Sequence, residues 1–219
     1  MHRTRVKICG LTRPEDAMAA VAAGADALGV VLAPSKRQVT LDQAAAVFAG
    51  VPPLVARVGV FVDARADFVW EAVERLGLTA VQLHGDEAPE TCAAAPAPVI
   101  KALRVGPGFD RASVERYRGV VSALLLDTLV VGGAAGGTGK TFSWHDVAGR
   151  LPAWAPVLLA GGLGPDNVAE AIGVLNPYAV DVSSGVEQAP GVKDHRLIER
   201  FVAAVRAADA PVASHDDEI

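Results

Sequence analysis

Two stretches late in the chain, Val157-Leu-Leu-Ala-Gly-Gly162 and Ala179-Val-Asp-Val-Ser-Ser-Gly185, pass from apolar residues into small ones. Each is typical of a buried strand that ends in a turn whose backbone N–H groups can approach an anion closely. In a (β/α)8 barrel, the loops after strands 7 and 8 commonly form a phosphate site. The pair therefore predicts this fold and a phosphate-binding site. The expected binding residues are Gly161, Gly162, Ser183, Ser184 and Gly185.

Short apolar runs alternate with helical patterns along the whole chain, which favours parallel strand pairing. Eight such units without interruption predict a closed barrel rather than an open sheet. We expect one domain over residues 1–219, with a polar, frayed tail at about 209–219. The predicted strands are Arg5–Cys9, Ala27–Leu32, Ala56–Phe61, Ala80–Leu83, Val99–Ala102, Ala123–Leu126, Val157–Ala160 and Ala179–Val182.

Helix-start signals follow several of these runs. Thr12-Arg-Pro-Glu15 and Thr40-Leu-Asp-Gln43 have the capping-box pattern, in which a hydroxyl and an acid or amide satisfy the first backbone N–H groups. Gly164-Pro-Asp-Asn167 predicts the start of another helix, and Asp194 is placed to cap the last one.

Composition excludes several classes of protein. The 219 residues carry a net charge of −5, which argues against nucleic acid or an anionic membrane surface as a partner. No apolar run reaches the roughly 20 residues of a membrane span, and the N-terminus lacks the apolar segment of a signal peptide. Two cysteines and no cluster with metal-ligand spacing predict a cytoplasmic protein without disulfides or a metal site.

Candidate catalytic residues are those at the carboxyl ends of the predicted strands, where active sites of this fold lie. Cys9 ends strand 1 and Asp127 ends strand 6, while Arg37, His84 and Asp181 belong to strands or loops 2, 4 and 8. A thiol is a base only as thiolate, which is scarce at neutral pH unless neighbours favour it. A carboxyl group beside a leucine run is expected to have a raised pKa and to donate a proton.

A glycine-rich segment, Gly136-Gly-Thr-Gly-Lys-Thr141, follows strand 6. Its spacing does not match the nucleotide-binding P-loop, and it does not directly follow a strand. We interpret it as a lid over the barrel mouth beside Asp127.

Taken together, the motifs resemble the phosphoribosylanthranilate isomerase family. Each match alone is modest, but the set occurs in family order and is specific. The matching segments are Lys7-Ile-Cys-Gly-Leu-Thr12, Ser35-Lys-Arg-Gln-Val39, Val81-Gln-Leu-His-Gly-Asp-Glu87, Leu125-Leu-Asp-Thr128, Gly136 to Trp144, Leu159-Ala-Gly-Gly-Leu163, Asp181 to Glu187 and Pro190-Gly-Val-Lys-Asp194.

The resemblance implies a (β/α)8 barrel that needs no cofactor and acts on a small phosphorylated molecule as a monomer or homodimer. The implied reaction is the Amadori rearrangement of N-(5-phosphoribosyl)anthranilate in tryptophan biosynthesis. It further implies Cys9 as general base, Asp127 as general acid and Arg37 as the ligand of the anthranilate carboxylate. His84 and Asp181 face the mouth by position, and we expect them to contact substrate.

Two departures from the family pattern stand near the expected site. Lys36 replaces a common proline and adds a charge close to Arg37, and Ser143 replaces a common aspartate at a helix start, where both types cap well.

Two other functions stay open. Sugar-phosphate isomerases of histidine biosynthesis, or those that act in both pathways, resemble this barrel, but they place an aspartate where Cys9 stands. A catalytically silent phosphate-binding barrel would bind ligand without turnover, which the joint presence of Cys9, Asp127 and Arg37 disfavours.

Overall fold

The computed structural model describes residues 3–105, 110–128, 144–149 and 151–210. Eight parallel strands close into one barrel in sequence order, with β1 paired to both β2 and β8, so the predicted fold is confirmed. The strands are β1 (Arg5–Ile8), β2 (Ala27–Val31), β3 (Ala56–Phe61), β4 (Ala80–Leu83), β5 (Val99–Val105), β6 (Ala123–Thr128), β7 (Val157–Ala160) and β8 (Ala179–Val182).

Helices follow the strands and cover the outside of the barrel. They are α1 (Pro14–Ala23), α2 (Leu41–Phe48), α3 (Ala66–Leu76), α4 (Pro89–Ala93), α5 (Arg111–Glu115), α6 (Trp144–Val147), α7 (Val168–Leu175) and α8 (His195–Asp209). Among the described residues, none of these helices is long and apolar enough to cross a membrane.

Alternation along each strand decides which side chains reach the site. Val6 and Ile8 of β1 are fully buried in the large core between barrel and helices. Because successive side chains of a strand point to opposite faces, Lys7 and Cys9 face the barrel axis. A second, smaller core is formed by residues of β5, β6, β7 and β8. It consists of Ala102, Ala123, Leu125, Leu158, Ala160 and Ala179.

The predicted capping box at Thr12 is wrong. The N-cap residue of α1 is Arg13, and no side chain caps it, although Pro14 occupies the first turn as expected. Thr12 instead donates its hydroxyl to the carbonyl oxygen of Gly191 at 2.5 Å. The competing partner is supplied by a hairpin that the sequence pattern did not indicate, formed by β9 (Glu187–Ala189) and β10 (Val192–Lys193).

Of the other predicted helix starts, two are confirmed and one is shifted along the chain. The capping box of Thr40 and Gln43 is present in both directions, and Asp194 caps α8 by accepting from two backbone N–H groups. Residues 164–167 form a turn rather than the first helical turn, so α7 begins only at Val168. The side chain of Asn167 stabilises that turn by accepting from Gly164 N at 2.8 Å.

Two predicted segments, the lid at 136–141 and the tail beyond residue 210, lie outside the described residues. Asp209, where the tail was expected to begin, still belongs to α8. Its carboxylate accepts hydrogen bonds from the backbone N–H and the hydroxyl of Thr4, at 2.8 and 2.6 Å. The last described helix is therefore tied to the residue that precedes β1.

Candidate active site

A cavity of about 490 Å³ opens at the carboxyl ends of the strands. The candidate residues that line it are Cys9, Arg37, His84, Asp127, Gly161, Gly162, Asp181, Ser183 and Ser184. Strand ends from six different parts of the chain thus converge on one site, as the barrel topology requires. Gly185, the remaining candidate, is not one of the residues that line the cavity.

Cys9 lies one residue beyond β1 and is only 6% exposed. Burial raises the pKa of its thiol, and the neighbouring charge of Lys7 opposes that rise. Lys7 is buried as well, and its Nζ donates to Asp181 Oδ1 at 2.7 Å. Burial alone would lower the pKa of Lys7, but attraction to Asp181 and Cys9 outweighs it, so the ammonium form is favoured.

Asp127 stands within the last part of β6, opposite His84. Its Oδ2 lies 3.2 Å from His84 Nε2, and Gln82 Nε2 lies 3.0 Å from His84 Nδ1. If the glutamine amide donates to Nδ1, the imidazole Nε2–H is directed at the carboxylate. The Asp127 side chain is 33% exposed, so its surroundings are more polar than the leucine run before it suggested.

Arg37 is held by Glu187, which the sequence analysis did not single out. The guanidinium donates through Nε and Nη2 to the two carboxylate oxygens, at 2.8 and 2.7 Å. Lys193, itself buried, donates to Glu187 Oε1 at 2.8 Å. Although burial opposes it, these two cations hold the pKa of Glu187 below its usual range. These bonds use Nε and Nη2 of Arg37, which is itself one of the residues that line the cavity.

The turns after β7 and β8 have the backbone conformations that their small residues predict. Gly161 and Gly162 have φ of +90° and +64°, a region that side chains rarely adopt. At Gly185, an added Cβ would meet the carbonyl oxygen of Leu163 and lie 3.1 Å from Gly164 Cα. Gly185 therefore allows one turn to pack on the other, and a contact of its own with ligand stays a prediction.

Sequence reasoning missed three residues of the site: Lys7, Gln82 and Glu187. Lys7 and Gln82 each lie two residues before a candidate, Cys9 and His84, and strand alternation places such neighbours on the same face. No comparable local signal marks Glu187, since its partner Arg37 is 150 positions away. Lys36, expected to add charge near the substrate, is exposed and lies outside the cavity lining.

Among the described residues, no three His, Cys, Asp or Glu side chains come together as a metal site. The fold and the cavity define a (β/α)8-barrel enzyme whose active site is built at the carboxyl ends of the strands. Comparison with known proteins gives the particular family: residues 6–204 match the family described as N-(5'phosphoribosyl)anthranilate (PRA) isomerase. The chain belongs to this family.

Similar proteins agree with that assignment. N-(5'-phosphoribosyl)anthranilate isomerase of Pseudomonas putida strain F1 is 51% identical over 210 residues, which cover 95% of this chain and 100% of that protein. The Myxococcus xanthus enzyme of the same name is 51% identical over 206 residues, covering 93% and 96%. The protein is accordingly an isomerase of tryptophan biosynthesis.

Solved structures give the same result. Phosphoribosyl anthranilate isomerase from Thermus thermophilus superposes with a TM-score of 0.82 at 39% identity, covering 93% of this chain and 99% of that one. A second isomerase structure, in complex with reduced 1-(o-carboxyphenylamino)-1-deoxyribulose 5-phosphate, has a TM-score of 0.79 at 40% identity, with coverage of 93% and 99%.

Proposed function

We propose that this isomerase converts N-(5-phosphoribosyl)anthranilate to 1-(2-carboxyphenylamino)-1-deoxyribulose 5-phosphate with Asp127 as general acid and Cys9 as general base. The observation that supports the proposal is that the thiol and the carboxyl group line one cavity from β1 and β6. These strands are three places apart around the ring. A substrate lying across the cavity can therefore meet the two groups from different sides.

Asp127 acts first, on the ribose ring. Its carboxyl proton passes to the ring oxygen while the bond from that oxygen to C1′ breaks and the amine nitrogen forms a C=N bond to C1′. The product is an open-chain iminium ion, and Asp127 is left as a carboxylate. His84 Nε2, 3.2 Å from Oδ2, is placed to donate to that carboxylate as its charge develops.

Cys9 acts second, on the iminium ion. The positive nitrogen acidifies the C2′ proton, which the thiolate removes while the bonding electrons form an enolamine. That enolamine tautomerises to the ketone. The pKa of the thiol is raised by burial, so the reactive thiolate is the minor form in the free enzyme. Its intrinsic basicity is correspondingly high, which suits abstraction of a carbon-bound proton.

The two ends of the substrate bind to different loops at the mouth. The Nη1–Nη2 edge of Arg37 is suited to a carboxylate, because the guanidinium fork matches both oxygens. The turns at Gly161–Gly162 and Ser183–Ser184 receive the phosphate through backbone and hydroxyl donors. Asp181 lies deeper in the cavity, paired to Lys7, and is placed toward the ribose.

The test is steady-state turnover of freshly made phosphoribosylanthranilate, followed by the loss of its fluorescence. We expect Asp127→Asn and Cys9→Ser each to lose most turnover while keeping the circular dichroism spectrum of the wild type. Cys92→Ser is the matched control, because Cys92 is a buried residue of α4 and is not part of the cavity lining.

Near-normal rates for a folded Cys9→Ala variant would overturn the assignment of the base. Turnover of the histidine-pathway aminoaldose by the wild type, measured in parallel, would show a second substrate. Binding of the product analogue without turnover of either compound would instead favour a silent barrel.

A further inference from the structure

Lys7 occupies an unusual position for a charged side chain. It is 1% exposed and faces the barrel axis, in register with Asp181 of the neighbouring strand β8. An isolated ammonium at this depth would be strongly unfavourable, and the 2.7 Å bond to Asp181 offsets that cost. A buried ion pair stabilises a fold poorly compared with apolar packing, so stability alone does not account for this pair.

Gly29 of β2 shows where the ammonium lies relative to the thiol. A Cβ at this position would be 2.9 Å from Cys9 Sγ and 3.2 Å from both Cε and Nζ of Lys7. The thiol of Cys9 and the ammonium of Lys7 therefore lie close together above the Cα atom of Gly29. Any larger residue at position 29 would displace them. Gly29 has no positive φ, so backbone conformation does not require glycine here. The close approach of the two side chains does.

Several charges act on the Cys9 thiol. Lys7 and Lys193 favour its thiolate form, Asp181 opposes it, and Arg37 is near enough to be influenced by the thiolate in turn. Of these groups, Lys7 has the largest effect after burial itself. A thiolate buried beside an ammonium is far less costly than one facing apolar walls.

We propose that Lys7 is a positioning residue that stabilises the Cys9 thiolate, that Asp181 holds its ammonium in place, and that Gly29 leaves the room for both. The inference builds on the proposed function, in which this thiolate removes the C2′ proton. In that step the C–H bond breaks, an S–H bond forms, and Lys7 keeps its own proton throughout.

The test measures the thiolate directly, without turnover. In a Cys92→Ala background, Cys9 is the single cysteine of the chain, and its alkylation by iodoacetamide is followed from neutral pH into the alkaline range as far as the fold persists. Lys7→Met should move the midpoint of the alkylation rate upward by about one pH unit, a roughly tenfold slower reaction at neutral pH. Asp181→Asn should move the midpoint downward, because that carboxylate opposes the thiolate.

Lys7→Met leaves Asp181 as a lone buried charge, so the double variant Lys7→Met/Asp181→Asn is measured too. It removes both charges together, and its midpoint should lie above that of the parent because the lysine has the larger effect. A midpoint in the folded double variant equal to or below that of the parent would overturn the proposal. Because alkylation needs no substrate, the result is separate from whether Cys9→Ser abolishes turnover.

Discussion

Glu187 holds the guanidinium of Arg37, a residue that lines the cavity, by accepting two hydrogen bonds, from Nε and Nη2. The side chain of Glu187 is 5% exposed and also accepts a hydrogen bond from Lys193, so two cations hold it in place. The carboxylate thus selects one conformation of Arg37, a long and otherwise flexible side chain.

Glu187→Gln is expected to weaken substrate binding more than it slows the chemical step. The amide keeps the shape of the carboxylate but loses the charge that attracts both cations, so Arg37 becomes less ordered. We expect KM to rise about tenfold, with kcat changed by a smaller factor, as for loss of a hydrogen bond to a charged group. Asp67→Asn is a matched control, since Asp67 makes a similar bidentate contact with Arg65 on the exposed surface. Equal KM values for the two variants would contradict a positioning role for Glu187.

His84→Ala is expected to lower kcat by about ten- to a hundredfold. Its Nε2 contacts Asp127 at 3.2 Å, and a hydrogen bond to a charged group contributes about 1.5–3 kcal/mol. The loss should fall on ring opening, which leaves Asp127 ionised, so KM should change little. Steady-state kinetics on the fluorescent substrate measure both constants. An unchanged kcat would show that the imidazole does not support the acid.

Two glycines, one in the turn after β8 and one inside α7, should respond in opposite ways to alanine. Gly185→Ala should destabilise the protein, because its Cβ would meet the carbonyl of Leu163. Gly173→Ala should stabilise it by about 0.5–1 kcal/mol, because Gly173 lies inside α7 with no atom within 4 Å of an added Cβ. Urea unfolding of the two variants gives both signs, and stabilisation by Gly185→Ala would refute the close contact between the turns.

Acid should weaken the fold partly through Asp16. Its buried carboxylate accepts from Arg13, from Lys193 N at 3.1 Å and from His195. Burial by itself raises the pKa of Asp16, but these donors outweigh it and the net pKa is lowered. A lowered folded-state pKa gives stability that is complete above the unfolded value, about 3.9, and is lost as the pH falls below it.

Asp16→Asn should therefore reduce the free energy of unfolding at pH 7 by about 1–3 kcal/mol and flatten its decline in acid. Urea titrations between pH 7 and pH 3 measure this slope. Asp42→Asn provides the comparison, because the Asp42 side chain is 87% exposed and an exposed ion pair contributes little. The idea fails if both variants show the same pH dependence as the wild type.

The eight apolar runs predicted the barrel because each strand is a continuous buried segment, and local pattern is enough to mark such a segment. The cavity followed, since the topology brings all strand ends to one face. The features that could not be predicted depend on hydrogen bonds between residues that only the closed fold brings together. Glu187 and Arg37 are 150 positions apart, and the Gly191 carbonyl that displaces the Thr12 cap comes from 179 positions away.

The pairing of β1 with β8 joins the first and last strands of the barrel, which matters while the chain is being synthesised. Lys7 and Asp181 are 174 positions apart, so a nascent chain presents the Cys9 thiol long before the strand that pairs with its ammonium neighbour has been made. Until β8 pairs with β1, Lys7 lacks its partner Asp181, and the Cys9 thiol lacks the enclosure of the closed barrel. With the roles proposed for Cys9 and Lys7, we expect catalysis to require the closed ring, because only there does Asp181 hold the ammonium of Lys7.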